Sequence, residues 1–365
     1  MKRFEYADQK ISDKQILVAV PSFVIGIGIL SLPQSVASVS MASDGWISIL
    51  IGGMIVLLIT WSVAKLASSF PNQSFITYTS AIVTRPIAIV LTFLFAILSM
   101  SVTALQVRQI ADIAKHYLLK ETPVEIISFT FLLLIIYAVA GSRTGLFRLN
   151  TLFLPFVLFV ALIVIAFNIN WFDLGFLSPT FETSFSGYME GVKNSVLSYA
   201  GFVILWFYIT LVKEPKNTPK MAVLGMCIPI VLYLSLYLTC ILVFGNSVTS
   251  NLQYPSIELA KIVEIPGGIL ERFESLFFVI WIMAIFNTTA MAFDIAVLAL
   301  NTIFTNIGKI NLIFIIAPIV YVTGMYPQDL VQVSIFGSFI GYSSVLYTVF
   351  VVILLFVIAK IRRVK

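Results

Sequence analysis

Two glycines and a proline inside the first hydrophobic segment are the most informative residues of this sequence, because they can free backbone groups to bind a ligand. Gly26 and Gly28 flank Ile27, and Pro33 follows five residues later. Each glycine costs a helix about 1 kcal/mol relative to alanine, and proline lacks the N–H that a helix needs. A break in a membrane helix frees backbone groups, which is tolerated only where they meet protein, water or a ligand. We therefore predict that residues 26–28 bind a ligand through their backbone; close helix packing through small residues is the alternative.

Catalytic and metal-binding side chains have little support in this sequence. His116 is the single histidine, so a multi-histidine metal site is unavailable and a Ser-His-Asp triad would have to use that residue. Cys227 and Cys240 fall in one predicted helix, about 20 Å apart, which is too far for a disulfide within it. No P-loop, HExxH or CxxC motif occurs. We expect no enzymatic activity, no metal and no cofactor.

The composition indicates that these residues are positioned by membrane helices. Of 365 residues, 60% are hydrophobic and 11% are charged, whereas a soluble domain averages about 25% charged residues. No cleavable signal peptide is predicted, and the net charge of +5 does not indicate nucleic acid because the basic residues sit at the ends of spans. We predict an all-α integral membrane protein, a single transmembrane domain over 1–365 with ten helices. The predicted spans are 15–37, 45–65, 86–107, 124–141, 149–168, 189–212, 220–245, 273–299, 310–325 and 336–359, with polar loops at 66–85, 108–123, 169–188 and 246–272.

The distribution of charge predicts the orientation of the bundle. With the N-terminus in the cytoplasm, 16 of the 22 Lys and Arg residues fall on the inner side, as the positive-inside rule requires. Of the 17 acidic residues, 12 fall outside and four inside, and Asp294 lies within a span. Ten spans then place both termini in the cytoplasm.

Ten spans also allow two five-helix halves of opposite topology, about 15–168 and 189–359. In such inverted repeats the first helix of each half is broken near the membrane midplane. Gly26 lies about 18 Å beyond Lys14, and Gly201 lies about 20 Å beyond Tyr188, in a hydrocarbon core about 30 Å thick. Both therefore fall near the midplane, approached from opposite faces. Tyr199, Ala200 and Gly201 are predicted to form the second half of the binding site.

Two further spans carry polar residues that need partners. The third contains Ser99, Ser101 and Thr103, followed by Gln106, and the eighth contains the run Asn287-Thr288-Thr289. Such groups form hydrogen bonds either with neighbouring helices or with a ligand, and each Ser or Thr alone is compatible with a bond to the preceding turn. Asn287 is the stronger candidate for a functional role.

The remaining charges favour structural roles. Arg108 and Asp112 have the i,i+4 spacing of a surface ion pair, and Glu190 and Lys193 have the same interpretation. Asp294 lies 21 residues into the eighth span, roughly 30 Å along it. We expect it near the cytoplasmic interface, with a role in ion coupling as the alternative.

The chain resembles the B subunits of bacterial spore germinant receptors over nearly its whole length. The resemblance is carried by residues 26–33, by Asp44-Gly45-Trp46, by Glu121-Thr122-Pro123, and by Glu271-Arg272-Phe273-Glu274-Ser275 followed by Trp281. Residues 26–33 alone would also be typical of amino acid permeases. The block at 271–275 restricts the resemblance to germinant receptor B subunits.

The resemblance implies the amino acid–polyamine–organocation superfamily and a fold of the leucine-transporter type. It implies a nutrient sensor in the spore inner membrane that acts with an A subunit and a lipoprotein C subunit. Its site positions fall here around Val102, Gln106 and Asn287 or Thr288. Where the family carries a glutamate on the third span, this chain has Gln106, so a charge-dependent ion or water route is not implied at that position.

The sequence therefore predicts a subunit that binds a small nutrient germinant, for which we expect an amino acid. Binding is predicted to signal to partner subunits without covalent chemistry. The runner-up is an amino acid/cation symporter. A structural or channel-forming subunit without a ligand is the third possibility.

Overall fold

The computed structural model describes residues 11–26, 28–263 and 273–362, and the architecture is helical throughout. Fourteen α-helices lie within these residues. They are α1 Asp13–Val24, α2 Gly28–Ala37, α3 Gly45–Ser68, α4 Phe75–Ile82, α5 Arg85–Tyr117, α6 Val124–Ala140, α7 Arg143–Phe167, α8 Phe185–Ser198, α9 Leu205–Tyr208, α10 Thr218–Asn251, α11 Pro255–Ile262, α12 Phe273–Ile303, α13 Lys309–Met325 and α14 Leu330–Arg362.

Seven helical stretches among the described residues are long and apolar enough to cross a membrane, so the chain is a multi-pass membrane protein. They are Gly45–Ser68, Arg85–Tyr117, Arg143–Trp171, Phe185–Leu211, Pro215–Asn251, Ser275–Ile303 and Leu330–Arg362. The helices α1 and α2 pass the same test only as a pair, and they are bent by 55° relative to each other. The apolar helices α6 and α13 are shorter.

The bend between α1 and α2 occurs where the two glycines predicted an interruption. Ile25 leaves the helical region with φ −78° and ψ 59°, and its N–H still donates to Pro21 O at 2.8 Å. Pro33, by contrast, lies inside α2. Because proline has no N–H, the carbonyl of Ile29 loses its usual partner, and it accepts instead from Ser256 Oγ at 2.7 Å. The bend therefore lies between Val24 and Gly28, and a side chain from α11 satisfies the carbonyl freed by Pro33.

The stretch 185–211 is not one regular helix. Its α-helical part α8 ends at Ser198, the 3₁₀ segment Ala200–Ile204 follows, and the single turn α9 leads into a second 3₁₀ segment, Ile209–Leu211. Gly201 N donates to Tyr199 O at 2.6 Å, a tighter closure than the α-helical pattern. A Cβ atom at Gly201 would clash with the Val24 side chain. The irregular segment at 199–204 therefore packs directly against the end of α1.

Several predicted boundaries were wrong, and in most cases the helix is longer than its apolar run. The predicted loop 108–123 is helical as far as Tyr117, because Val107, Ile110 and Ala114 continue the buried face of α5. Helix α7 begins at Arg143, where the Ser142 side chain accepts from Gly145 N at 3.1 Å. Helix α14 begins at Leu330 rather than 336.

The other differences concern the connections. The predicted loops 66–85 and 246–272 contain the short helices α4 and α11. Helix α10 continues past the predicted end at 245 but is kinked there, since Gly245 adopts φ 72°, which glycine tolerates without strain. Cys227 and Cys240 are both free thiols, as their spacing predicted.

Candidate functional site

A cavity of about 440 Å³ lies between the two interrupted stretches. The end of α1 and the start of α2 form one wall, and the end of α8 with the 3₁₀ segment forms another; α5, α12 and α14 complete it. The residues lining it include Phe23, Val24, Gly28, Ser31, Gln34, Ser35, Val102, Leu105, Gln106, Gln109, Asp112, Asn194, Leu197, Ser198, Ala200, Gly201, Val203, Gln253, Tyr254, Thr288, Leu330, Val333, Ser334, Gly337, Ser338, Ile340, Gly341 and Ser344.

The cavity brings together most of the residues that the sequence singled out. Six of them line it: Gly28, Val102, Gln106, Ala200, Gly201 and Thr288. Gly26 lies immediately behind this surface, because a Cβ atom there would stand 2.7 Å from Thr288 Oγ1 and 3.5 Å from Gln106 Nε2. Residues from four separate parts of the sequence therefore converge on one space.

Three other predicted residues do not belong to the described lining. Among the described residues around the cavity, Ser101, Tyr199 and Asn287 are not included. Tyr199 is fully buried and stacks on Tyr233, with ring centroids 5.3 Å apart. Asn287 is buried and its Oδ1 has no hydrogen-bond partner in the described part of the chain. Ile27 lies outside the described residues, as do Glu271 and Arg272 of the sequence block at 271–275.

Three side chains satisfy carbonyl groups at the bend between α1 and α2. Thr288 Oγ1 donates to Phe23 O at 2.9 Å, Tyr233 Oη donates to Val24 O at 2.7 Å, and Trp281 Nε1 donates to Gly26 O at 3.1 Å. Each carbonyl has two lone pairs, so each can accept one more hydrogen bond. Side chains from α10 and α12 therefore stabilise the bend by hydrogen bonds to its carbonyl groups.

Gln106 offers a free acceptor at the cavity wall. Its Oε1 atom is shielded from solvent and has no hydrogen-bond partner among the described residues. An unsatisfied buried amide oxygen costs about 1–3 kcal/mol. A ligand that donates an N–H or O–H to Gln106 would remove that cost.

Helix α14 supplies a wall that the sequence analysis missed. Small or hydroxylated residues recur every three or four positions along it and face the cavity, namely Ser334, Gly337, Ser338, Gly341 and Ser344. This spacing places them on one side of a helix. The recurrence of glycine and serine in an apolar span was the available indication.

The cavity adjoins a wider vestibule at the end of the bundle where α5 ends, which we call the Tyr117 end. The vestibule has a volume of about 790 Å³ and shares Asp112, Gln253, Tyr254 and Leu330 with the cavity. Among the described residues, the cavity also shares Phe23, Val102 and Ser344 with a small, mostly apolar space of about 10 Å³ that is bordered by Phe95 and Tyr347. The cavity is therefore accessible from the Tyr117 end and closed by apolar side chains on the other side.

The expectation for Arg108 and Asp112 was wrong in one respect. They do form an ion pair, with Arg108 Nε 2.9 Å from Asp112 Oδ2, but their side chains are only 11% and 10% exposed. Asp112 lines both the cavity and the vestibule, whereas Arg108 lines the vestibule. The Glu190–Lys193 pair is exposed, as predicted.

The burial of Asp294 was not predicted from the sequence. It is 0% exposed, and Arg143 Nε donates to both of its carboxylate oxygens at 3.0 and 2.9 Å. Tyr208 Oη donates to Asp294 Oδ2 at 3.2 Å. The carboxylate lies inside the bundle because α7 begins early enough to bring Arg143 against α12. We call the end of the bundle where this network lies the Arg143 end.

Comparison with known proteins identifies relatives over the full chain. A family model described as "Spore germination protein" matches residues 10–333. The spore germination protein GerLB of Bacillus cereus is 40% identical over 365 residues, which cover 100% of this chain and 98% of that protein.

Two solved structures share the fold at 14% sequence identity. One is Mhp1, a nucleobase-cation-symport-1 family transporter in a closed conformation with bromovinylhydantoin bound; its TM-score is 0.67, covering 90% of this chain and 74% of that one. The other is MhsT in complex with L-phenylalanine, with a TM-score of 0.61 and coverage of 96% and 98%. At this identity the likeness concerns the fold alone.

Proposed function

This chain belongs to the spore germination protein family, and on that premise we propose that it is a nutrient sensor. It binds a small germinant, with amino acids as the first class to test, and transmits the binding event to partner subunits. The resemblance to germinant receptor B subunits makes an A subunit and a lipoprotein C subunit the proposed partners, and the spore inner membrane the proposed location.

The observation that carries this proposal is the cavity between the two interrupted stretches. It lies where residues 23–28 meet residues 198–203 and is lined by Gln106 and Thr288. Helix α2 begins at Gly28, and the first N–H groups of a helix favour a carboxylate. Gln106 Oε1 can accept from an ammonium group. An α-amino acid has both groups.

We also propose the finer architecture, ten spans arranged as two inverted five-helix repeats over 15–168 and 189–359. Seven long stretches, the bent pair α1–α2 and the two shorter helices α6 and α13 add up to ten. The bend between Val24 and Gly28 and the irregular segment at 199–204 would then be equivalent breaks in the first helix of each repeat. The fold similarity to Mhp1 and MhsT supports a helical bundle of this general type.

A sensor of this kind signals when ligand binding shifts an equilibrium between two conformations of the chain. The germinant must therefore have different affinities for these two conformations. A cavity that is accessible from one end and closed at the other suits one state of such an equilibrium. No covalent step is required.

The test is thermal stabilisation of the purified full chain in lipid nanodiscs by the twenty amino acids. A ligand that binds only the folded state adds about 2.7 kcal/mol at a hundredfold excess over Kd. We expect at least one amino acid to raise the unfolding midpoint in a saturable way. If no amino acid shifts the midpoint, the amino acid sensor proposal is wrong.

A symporter is the second candidate, because one of the two solved structures of this fold is named a nucleobase-cation-symport-1 family transporter. Uptake of the stabilising amino acid into proteoliposomes that contain only this chain separates the two functions. The sensor proposal expects saturable binding without accumulation inside the vesicles, and concentrative uptake would establish the symporter.

A further inference from the structure

The face of α14 on the cavity carries two glycines, Gly337 and Gly341, and helix packing does not require the first of them. A Cβ atom at Gly337 would meet only Leu105 side-chain carbons at 3.5 and 3.7 Å, which is ordinary van der Waals contact. At Gly324, by comparison, it would lie 2.7 Å from Ala104 O. Glycine inside a helix costs about 1 kcal/mol relative to alanine. Since packing does not call for glycine at 337, its effect is to leave space in the cavity.

A hydroxyl group at the base of the same face points to a ligand. Ser344 is 6% exposed and lines both the cavity and the small apolar space beyond it. On α5, Gln106 also lines the cavity, and its Oε1 atom is shielded from solvent and has no hydrogen-bond partner among the described residues. Two polar groups from two different helices therefore face one space.

The charge of the lining limits what the cavity accepts. Among the described lining residues Asp112 is the single charged group, and Arg108 already neutralises it at 2.9 Å. A ligand with a net charge would lose its hydration without gaining a counter-charge. The remaining polar lining consists of hydroxyl and amide groups, which suit a zwitterion or an uncharged polar molecule.

We propose that the α14 face formed by Gly337, Gly341 and Ser344 is the specificity wall of the cavity. The variable part of a ligand without net charge lies against it, Gly337 sets the largest size that fits, and Ser344 makes a polar contact at its base. This inference rests on the proposed binding function and adds the element that selects among ligands.

The experiment measures Kd for the full chain in nanodiscs by ligand-dependent shifts in the unfolding midpoint. The probes are glycine, L-alanine, L-leucine and L-phenylalanine, with L-aspartate and L-lysine as charged probes. The variants are Gly337→Ala and Ser344→Ala. Gly308→Ala is the matched control, because a Cβ atom there has nothing within 4 Å and Gly308 is not part of the lining.

We expect Gly337→Ala to raise Kd about tenfold for the largest ligand bound by the native chain, because the added methyl group overpacks the cavity. For smaller ligands, the same substitution should change Kd by less than about twofold. Ser344→Ala should weaken all bound ligands about fivefold, the effect of one neutral hydrogen bond. Gly308→Ala should leave every Kd unchanged, and the charged probes should not bind.

Three results would overturn the inference while leaving the binding function intact. They are binding by the native chain with no effect of either α14 variant, equal weakening of small and large ligands by Gly337→Ala, and tightest binding of a charged probe. If none of the twenty amino acids shifts the midpoint of the native chain, the proposed function fails and this inference fails with it. Should Gly337→Ala fail to fold, Ser344→Ala decides the question.

Discussion

Among single residues, Gly28 occupies a position at the bend that leaves little room for a side chain. A Cβ atom at Gly28 would lie 2.7 Å from Tyr233 Oη, which donates to the carbonyl of Val24 at 2.7 Å, and 3.2 Å from Ser198 O. A methyl group at this position must displace the tyrosine that holds the end of α1. Gly28 is therefore needed for the close approach of three segments.

Gly28→Ala is expected to weaken binding of the stabilising amino acid by about tenfold or more, with a smaller loss of stability. The measurement is the shift in unfolding midpoint against ligand concentration, with Gly308→Ala as the control. In spores, the variant should accumulate in the membrane and respond poorly to nutrient. Native sensitivity to nutrient would argue against a site at the bend.

Asp44 has a different role, since it anchors a connecting segment. It is buried before α3, and its carboxylate accepts from Phe181 N at 2.7 Å and Thr183 N at 3.0 Å. Burial opposes ionisation, but these hydrogen bonds to the charged form outweigh it and lower the pKa of the Asp44 carboxyl below its usual value. The segment around residue 181 is thereby attached to the start of α3.

Asp44→Asn should lower the free energy of unfolding by about 2 kcal/mol at neutral pH, because a charged acceptor is lost. A carboxyl whose pKa is lowered by folding stabilises above its unfolded pKa, and the contribution disappears as the pH falls through the folded value. The difference in unfolding midpoint between native chain and variant should thus be full at pH 7 and shrink below about pH 4. A difference that stays constant down to pH 3 would contradict this assignment.

At the scale of elements, the buried network of Arg143, Asp294 and Tyr208 connects three helices. Arg143 begins α7, Asp294 belongs to α12, and Tyr208 ends α9, which follows the irregular segment. Removing one partner from a buried ion pair leaves an uncompensated charge, whereas replacing both partners by apolar residues is often tolerated. The network fixes how α9 sits against α12 at the Arg143 end.

Arg143→Met is expected to destabilise the chain by about 3 kcal/mol, the usual cost of stranding a buried charge. The double variant Arg143→Met with Asp294→Leu should recover part of that loss. Unfolding midpoints of the two single variants and the double variant form the cycle that measures it. Additive losses would mean that the two side chains are not coupled.

At the scale of the whole molecule, contacts between connections define two ends of the bundle. At the Arg143 end, Lys309 Nζ donates to Gly141 O at 2.8 Å. At the Tyr117 end, Tyr117 Oη donates to Glu258 at 3.3 Å. The charge distribution assigned residues 141 and 309 to one side of the membrane and residues 117 and 258 to the other. The grouping of these contacts is consistent with that division.

The orientation itself can be tested by cysteine labelling in intact cells, in a chain whose native Cys227 and Cys240 are replaced by alanine. We expect Glu121→Cys to react with a membrane-impermeant maleimide, because Glu121 is exposed in the connection predicted to lie outside. Asn306→Cys, also exposed, should react only after the cells are permeabilised. The reverse pattern would place the termini outside.

Composition and local motifs were enough to predict the membrane class and the family. These depend on apolar length and on short motifs, which act within a few residues of their positions. Six of the residues singled out from the sequence line the cavity. Tyr199, which was also singled out, is buried and stacks on Tyr233.

Only the tertiary structure decided which polar groups meet. Arg143 and Asp294 are 151 residues apart, and the sequence offered no reason to pair them or to bury Asp294. The wall formed by α14 was missed for the same reason, since glycine and serine on a helix face are compatible with lipid, packing or a cavity. Helix packing chooses among these, because it fixes which faces are brought together around the bend that Gly26 and Gly28 create.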